Sequence, residues 1–319
     1  MENKVKIISM DTVEAEEIKW LWKPYVPFGK LTIIQGDPGE GKTTFALHIA
    51  SLISQGKCFD EARDMGMFEP VNVIYQTAED GLADTVKPRL ISAGADCSKI
   101  KVIDDSEKSL SMDDERLEIA IKETGAKLLI LDPLQAYLGD RIDMNRANEA
   151  REMTKKLGAL AERTGCAVVL IGHMNKGSGA KAAYRGIGSI DFYAIARSVL
   201  LVAKVPQNSN IRAVAQIKSN LAAEGETMAF QLDENGFTWI GEYDISADEL
   251  LAGCSNSDKR KTAEDFLRKV LANGQMVSAS SIFAQARSIG VSKRTIENVK
   301  QELGIKSIKD GASWLWKMN

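Results

Sequence analysis

At 319 residues the chain is long for one domain and suits one large domain with a small one beside it. Its composition, 44% hydrophobic and 27% charged, is that of a soluble globular protein. No apolar run approaches the roughly 18 residues of a membrane span, and the N-terminus carries no signal-peptide pattern. The net charge of −3 divides unevenly, because residues 258–319 hold twelve Lys/Arg against six Asp/Glu, a net of +6 that leaves −9 on the rest. A basic tail on an acidic body is expected to meet a polyanion, although a lysine-rich solvated helix surface has the same composition. Cys58, Cys97, Cys166 and Cys254 are widely spaced with no C-x-x-C pair. That argues against a zinc site or disulfide framework and for a reducing, cytoplasmic setting.

The first thirty residues mix charge with Trp20, Trp22, Pro24, Tyr25, Pro27 and Phe28, and read as a cap leading into the first strand, 31–35. Next comes Gly36-Asp37-Pro38-Gly39-Glu40-Gly41-Lys42-Thr43-Thr44, which fits the phosphate-loop pattern G-x-x-x-x-G-K-[ST] at every fixed position. A helix follows over 44–52, so the loop has the strand-to-helix context its chemistry needs. The glycines let consecutive backbone N–H groups curl around phosphates, and the helix presents its positive end to them. Lys42 would reach the β- and γ-phosphates of ATP, and Thr43 would offer its hydroxyl to Mg²⁺.

Beyond the loop, strand-like and helix-like stretches alternate as in a parallel sheet covered on both faces. A strand at 71–76 runs into Gln76-Thr77-Ala78-Glu79-Asp80-Gly81. Glu79 is a candidate general base for the attacking water, with helix capping by Asp80 the competing use of this cluster. A helix over about 82–93, a short strand at 100–103 and a helix over 113–124 come next. The strand 127–132 ends in Leu128-Leu129-Ile130-Leu131-Asp132, four apolar residues and a carboxylate in the Walker B form. Asp132 would sit beside Thr43 and hold Mg²⁺ through water. The alternative is a core strand ending in a turn-forming Asp-Pro. A helix over 147–164 precedes a strand at 166–173. That strand ends in His173, either a reporter of the γ-phosphate or a satisfied structural histidine. Strands at 198–205, 211–218 and 228–232 follow with connections too short for crossover helices, so they are expected to be antiparallel.

Residues 241–261 gather Gly, Ser, Asn and Asp and read as a linker between an ATPase domain, 1–240, and a tail domain, 262–319. The tail shows helices over 262–272, 279–289 and 292–303, then strands at 307–309 and 313–317 around Asp310-Gly311. That order is a winged helix-turn-helix. Ser292 is a good N-cap for the last helix, and Lys293 and Arg294 fall at the helical start that enters a DNA groove. Many winged helices bind proteins instead. Trp314, Leu315 and Trp316 are expected to pack the wing, with base stacking as the minority use.

The ordered set Gly36–Thr44, Glu79, Asp132 and His173 resembles the RecA-like core of hexameric ATPases. In particular it resembles the small plasmid replicative helicases of the RepA type and related phage and mobile-element ATPases. The preface Trp20-Leu21-Trp22-Lys23-Pro24-Tyr25-Val26-Pro27-Phe28-Gly29-Lys30 and residues 75–87 add to the resemblance, which covers roughly residues 18–232. The resemblance implies an α/β, RecA-like P-loop NTPase core with a mostly parallel sheet. It also implies a homo-oligomeric, hexameric ring with ATP between subunits and a neighbour supplying positive charge. Lys218 stands where the family places a lysine finger, and Arg197 is the arginine-finger candidate; strand-edge charge is the other use of both. Helicases of the DnaB type usually carry an arginine two residues after that lysine, and this chain has Asn220.

The same geometry would put two loops in a channel for single-stranded DNA. One carries Arg141 and Arg146. The other, glycine-rich, carries Lys176, Lys181 and Arg185, with Tyr184 for stacking, and a lid over the nucleotide is its alternative use. The expectation is an ATP-hydrolysing DNA motor, a replicative helicase of a plasmid, phage or integrated element, with duplex DNA at the winged helix. The alternative is a DNA-bound regulatory or recombination-type ATPase that does not unwind. A small-molecule kinase fits poorly, since it leaves the winged helix without a task.

Overall fold

The computed structural model describes residues 7–57, 69–138, 147–173, 190–206, 208–252, 257–289, 291–310 and 313–318. The two loops with Arg141, Arg146, Lys176, Lys181 and Arg185 lie outside them. The cap expected before the first strand is a small hairpin, β1 (Trp20–Trp22) and β2 (Val26–Pro27). Leu21, Trp22, Tyr25 and Val26 are buried. Trp22 packs against Tyr25 at 4.1 Å between ring centres, and the Tyr25 hydroxyl donates to the Glu226 carbonyl at 2.6 Å. The hairpin therefore ties the chain start to a segment two hundred residues away.

The alternation then runs as expected. β3 (Leu31–Gly36) feeds α1 (Lys42–Ser54), and β4 (Val73–Thr77) leads through a π-helical turn at Leu82–Val86 into α2 (Lys87–Ser92). β5 (Ile100–Lys101), α3 (Glu115–Thr124) and β6 (Leu128–Asp132) follow, with Asp114 capping α3 by accepting the Arg116 N–H. α4 (Ala147–Thr164) and β7 (Ala167–His173) complete the parallel half. A short helix, α5 (Ile190–Ile195), precedes β8 (Ser198–Val205), β9 (Asn208–Ser219), β10 (Met228–Asp233) and β11 (Gly236–Glu242).

Among the described residues these strands form one sheet in the order β11-β10-β9-β8-β3-β7-β6-β4-β5. From β8 to β5 every pairing is parallel; β8 to β11 pair antiparallel. β8 thus joins both halves: antiparallel to β9 as expected, but parallel to β3, because α5 ahead of it serves as a crossover. The parallel strands are apolar on both faces. One face packs beneath α1 with Phe45, Ile49 and Ile53, the other against α3 and α4 with Leu117, Ile121 and Leu157.

The stretch expected as a linker is more ordered than its composition suggests. β11 runs to Glu242, α6 (Ala247–Ala252) packs Leu250 with Leu201 and Ile245, and α7 (Ser257–Val270) has begun before residue 261. β11 escaped the sequence reading because Gly236 and Gly241 punctuate it, both with positive φ. Beyond it β12 (Val277–Ser278), α8 (Ala279–Ser288), α9 (Lys293–Glu302), β13 (Lys306–Asp310) and β14 (Ser313–Lys317) build a sheet ordered β12-β14-β13 against three helices. Trp316 is buried there, edge-on to Phe283 at 5.3 Å, whereas Trp314 is 52% exposed.

Gly36 closes β3 under a tight constraint. A Cβ built there would lie 2.1 Å from the Val202 carbonyl oxygen on β8. Gly36→Ala is therefore expected to push β8 from β3 and cost about 1–3 kcal/mol, the usual scale of overpacking. Denaturant unfolding without nucleotide checks this, the expected result being a lower midpoint.

Candidate nucleotide site

Parallel pairing brings the C-terminal ends of four strands to one edge. β3 and β7 align Gly36 with His173, and β4 and β6 align Thr77 with Asp132. The phosphate loop starts at that edge, and Gly39 and Gly41 turn it with φ of 78° and 91°, the left-handed region that glycine enters freely. α1 begins at Lys42, so its unpaired N–H groups open toward the same spot. Glu40 anchors the loop from the side: it accepts the Lys204 backbone N–H and pairs with the Lys204 ammonium at 3.6 Å.

Lys42 is 4% exposed, and its ammonium donates to the Gly36 and Asp37 carbonyls at 2.9 and 2.8 Å. Burial lowers its pKa, while Asp132, Glu40, Asp37 and Glu79 pull it back up. Asp132 is likewise buried. Its Oδ2 accepts the Thr43 hydroxyl at 2.7 Å and the Tyr75 hydroxyl at 3.0 Å. Burial pushes its carboxyl above the usual range, the two hydrogen bonds oppose that, and the charges of Glu79 and Asp80 add to it. Carboxylates that repel one another favour a cation between them. The adjacent Thr43 hydroxyl and Asp132 carboxylate are hard oxygen donors that fit Mg²⁺, and the metal they would hold would supply positive charge against phosphate.

Glu79 follows β4 by two residues, exposed at the same edge. The Thr77 hydroxyl oxygen accepts the Glu79 and Asp80 N–H groups at 3.4 and 3.2 Å and turns the chain. Asp80 does not cap the following helix; it pairs with Arg89 at 2.8 Å, and Gly81 holds the cap position. His173 ends β7 beside the loop, and among the described residues its buried Nδ1 has no hydrogen-bond partner. Tyr75 is the member the sequence reading missed. Its signal was a phenol inside a strand destined for burial, whose hydroxyl must find a partner.

Lys218 and Arg197 lie elsewhere. The Arg197 N–H bonds the Leu31 carbonyl at 2.9 Å, and Lys218 pairs with Val199, both at the opposite end of the sheet from Gly36. Leu31 is five residues of β3 from Gly36, ~16 Å at about 3.3 Å each, whereas Val199 lies opposite Ile33, so Lys218 is three residues, ~10 Å, along the strand from Gly36. The Lys218 ammonium donates to the Tyr193 and Ala194 carbonyls of α5 at 2.5 and 3.0 Å and lies 4.9 Å over the Tyr193 ring. Burial first, and then Arg197, lower its pKa. Arg197 is exposed.

In the tail, Ser292 caps α9 by accepting the Thr295 N–H at 3.1 Å. Ser292 and Thr295 both donate to Asp244, and Arg294 donates to the Glu242 carbonyl at 3.0 Å. Lys293 is exposed, 3.9 Å from Glu297 and 5.0 Å over the Phe283 ring. The start of α9 thus rests on the chain just after β11.

A family profile described as AAA domain matches residues 2–179, more than half of the sequence. The chain belongs to this AAA domain family. Two DNA repair proteins RadA are similar to it. The one from Halalkalibacterium halodurans is 24% identical over 87% of this chain, and the one from Bacillus subtilis 22% identical over 81%. The chain spans about half the length of these relatives, 55% and 51%. A solved structure of an ATPase domain aligns with 66% of this chain and 84% of its own at a TM-score of 0.51 and 15% identity. The fold is a RecA-like P-loop NTPase core with a mostly parallel sheet. Among the described residues no helix is long and apolar enough to cross a membrane.

Among the described residues Glu79 stands at the loop edge without a side-chain tether of the kind that fixes Asp80. Glu79→Gln is expected to keep ATP binding and lower turnover by about 10²-fold or more, the scale of a lost general base. Nucleotide titration alongside steady-state phosphate release checks it; unchanged turnover would assign the base to another residue.

Proposed function

We propose that the chain is an ATP-hydrolysing DNA motor acting as a homo-oligomeric, hexameric ring in the cytoplasm. Within that class it is read as a replicative helicase of the plasmid RepA type. The reading is carried by the two-ended layout: loop, lysine and carboxylates at one end of the sheet, Lys218 and Arg197 at the other. With backbones roughly 10 Å (Lys218) and 16 Å (Arg197) along the strands from their own phosphate loop, these cations would serve catalysis on a neighbour's nucleotide.

In this reading the loop from Gly36 to Thr44 cradles the phosphates of ATP, Lys42 balances their charge, and Thr43 and Asp132 hold Mg²⁺. Glu79 orients and deprotonates the attacking water, and His173, whose Nδ1 has no partner among the described residues, registers the γ-phosphate. Arg141, Arg146, Lys176, Lys181 and Arg185 would line the channel for single-stranded DNA, an assignment resting on the family resemblance. The body runs through β11 to residue 242, a little past the expected 240, and the tail from α7 onward is a winged helix-turn-helix that binds duplex DNA through Lys293 and Arg294. The exposed Lys306, Lys309 and Lys317 add charge on or near the wing. α9 would have to leave Glu242 and Asp244 before its start could enter a groove. A second reading is a DNA-bound regulatory or recombination-type ATPase without unwinding; the likeness to the DNA repair proteins RadA supports work on DNA, which both readings share.

Hydrolysis is expected to rise with single-stranded DNA, and a forked duplex to be unwound; stimulation without unwinding would favour the second reading. The inter-subunit site has its own check. Lys42→Ala and Lys218→Ala proteins should each be inactive alone, yet recover measurable hydrolysis when mixed, since one supplies the finger and the other the intact loop. A Lys218→Ala protein of full activity, or a mixture that stays inactive, would overturn it.

A further inference from the structure

We infer that Tyr75 is a positioning residue for the metal end of the site, acting through Asp132. This rests on reading the loop as a Mg²⁺–ATP site. Tyr75 is fully buried in the cluster beneath α1, and its hydroxyl reaches the same Asp132 oxygen that accepts the Thr43 hydroxyl. A hydroxyl has one proton and two lone pairs. Thr43 spends its proton on Asp132, so its lone pairs face away from that carboxylate and remain for a cation. The Tyr75 proton engages Oδ2 a second time, from within the core cluster. Rotating the carboxylate would break both bonds in a buried place, where a lost partner is costly. Tyr75 therefore fixes the direction of the other carboxylate oxygen, and with it the orientation of the Thr43 hydroxyl. β4 and β6 are adjacent and parallel, which makes the arrangement as rigid as the sheet itself.

Tyr75→Phe keeps the ring and removes only the tether. The full chain and this variant are compared by titrating a fluorescent ATP analogue in EDTA and then with increasing Mg²⁺. Binding in EDTA should match the wild type. The Mg²⁺ needed for half of the metal-dependent gain in affinity should rise about tenfold, within the range for a lost outer partner of a metal ligand. In a double-mutant cycle Tyr75→Phe with Asp132→Asn should be no worse than Asp132→Asn alone, because the first acts through the second. An unchanged Mg²⁺ requirement, an equal loss of binding in EDTA, or strictly additive effects would each assign Tyr75 to packing and overturn the inference. Failure of the wild type itself to bind the analogue would sink the nucleotide reading, and this inference with it.

Discussion

The parallel register of β3, β7, β6 and β4 is the constraint on which the site depends. Antiparallel neighbours would send alternate strand ends to opposite edges. Here Gly36, His173, Asp132 and Thr77 finish in one row, so residues up to 137 positions apart along the chain meet. The register is set by hydrophobic content: each strand is buried on both faces, and each needs a crossover helix to return in the same direction. Gly36 shows how closely the row is drawn, with the Val202 carbonyl where a side chain would begin.

Most of this was legible because its chemistry is local. A glycine loop followed by Lys-Thr, and a run of four apolar residues ending in Asp, are patterns within one element, and strand-helix alternation places them at the same edge. What escaped was what depends on distant pairing. Tyr75 stood only as a member of a strand and of the segment 75–87, and its hydroxyl gained a role when β6 brought Asp132 within its reach. Residues 241–261 read as a linker because glycines and serines carry no apolar period, yet Ile245 and Leu250 bury against Leu201 of β8 and hold the segment to the body. The alternation also could not show β8 as the hinge of the sheet: the same strand is parallel on one side and antiparallel on the other.

The electrostatics of the two ends argue for what a single copy lacks. At the loop edge Lys42 is already engaged by two backbone carbonyls, while Asp132, Glu79 and Asp80 crowd negative charge together. A triphosphate adds more negative charge there, and transition-state charge on the γ-phosphate would call for a cation beyond Lys42. At the far end Lys218 and Arg197 repel one another, and Lys218 is partly desolvated against α5. Each end is thus incomplete in the sense opposite to the other. In the proposed assembly, two copies joined by unlike ends would relieve both, and a contact between unlike surfaces would repeat until it closed into a ring or continued as a filament. In the proposed motor, α5 holds the finger lysine and lies directly after the glycine-rich loop assigned to DNA.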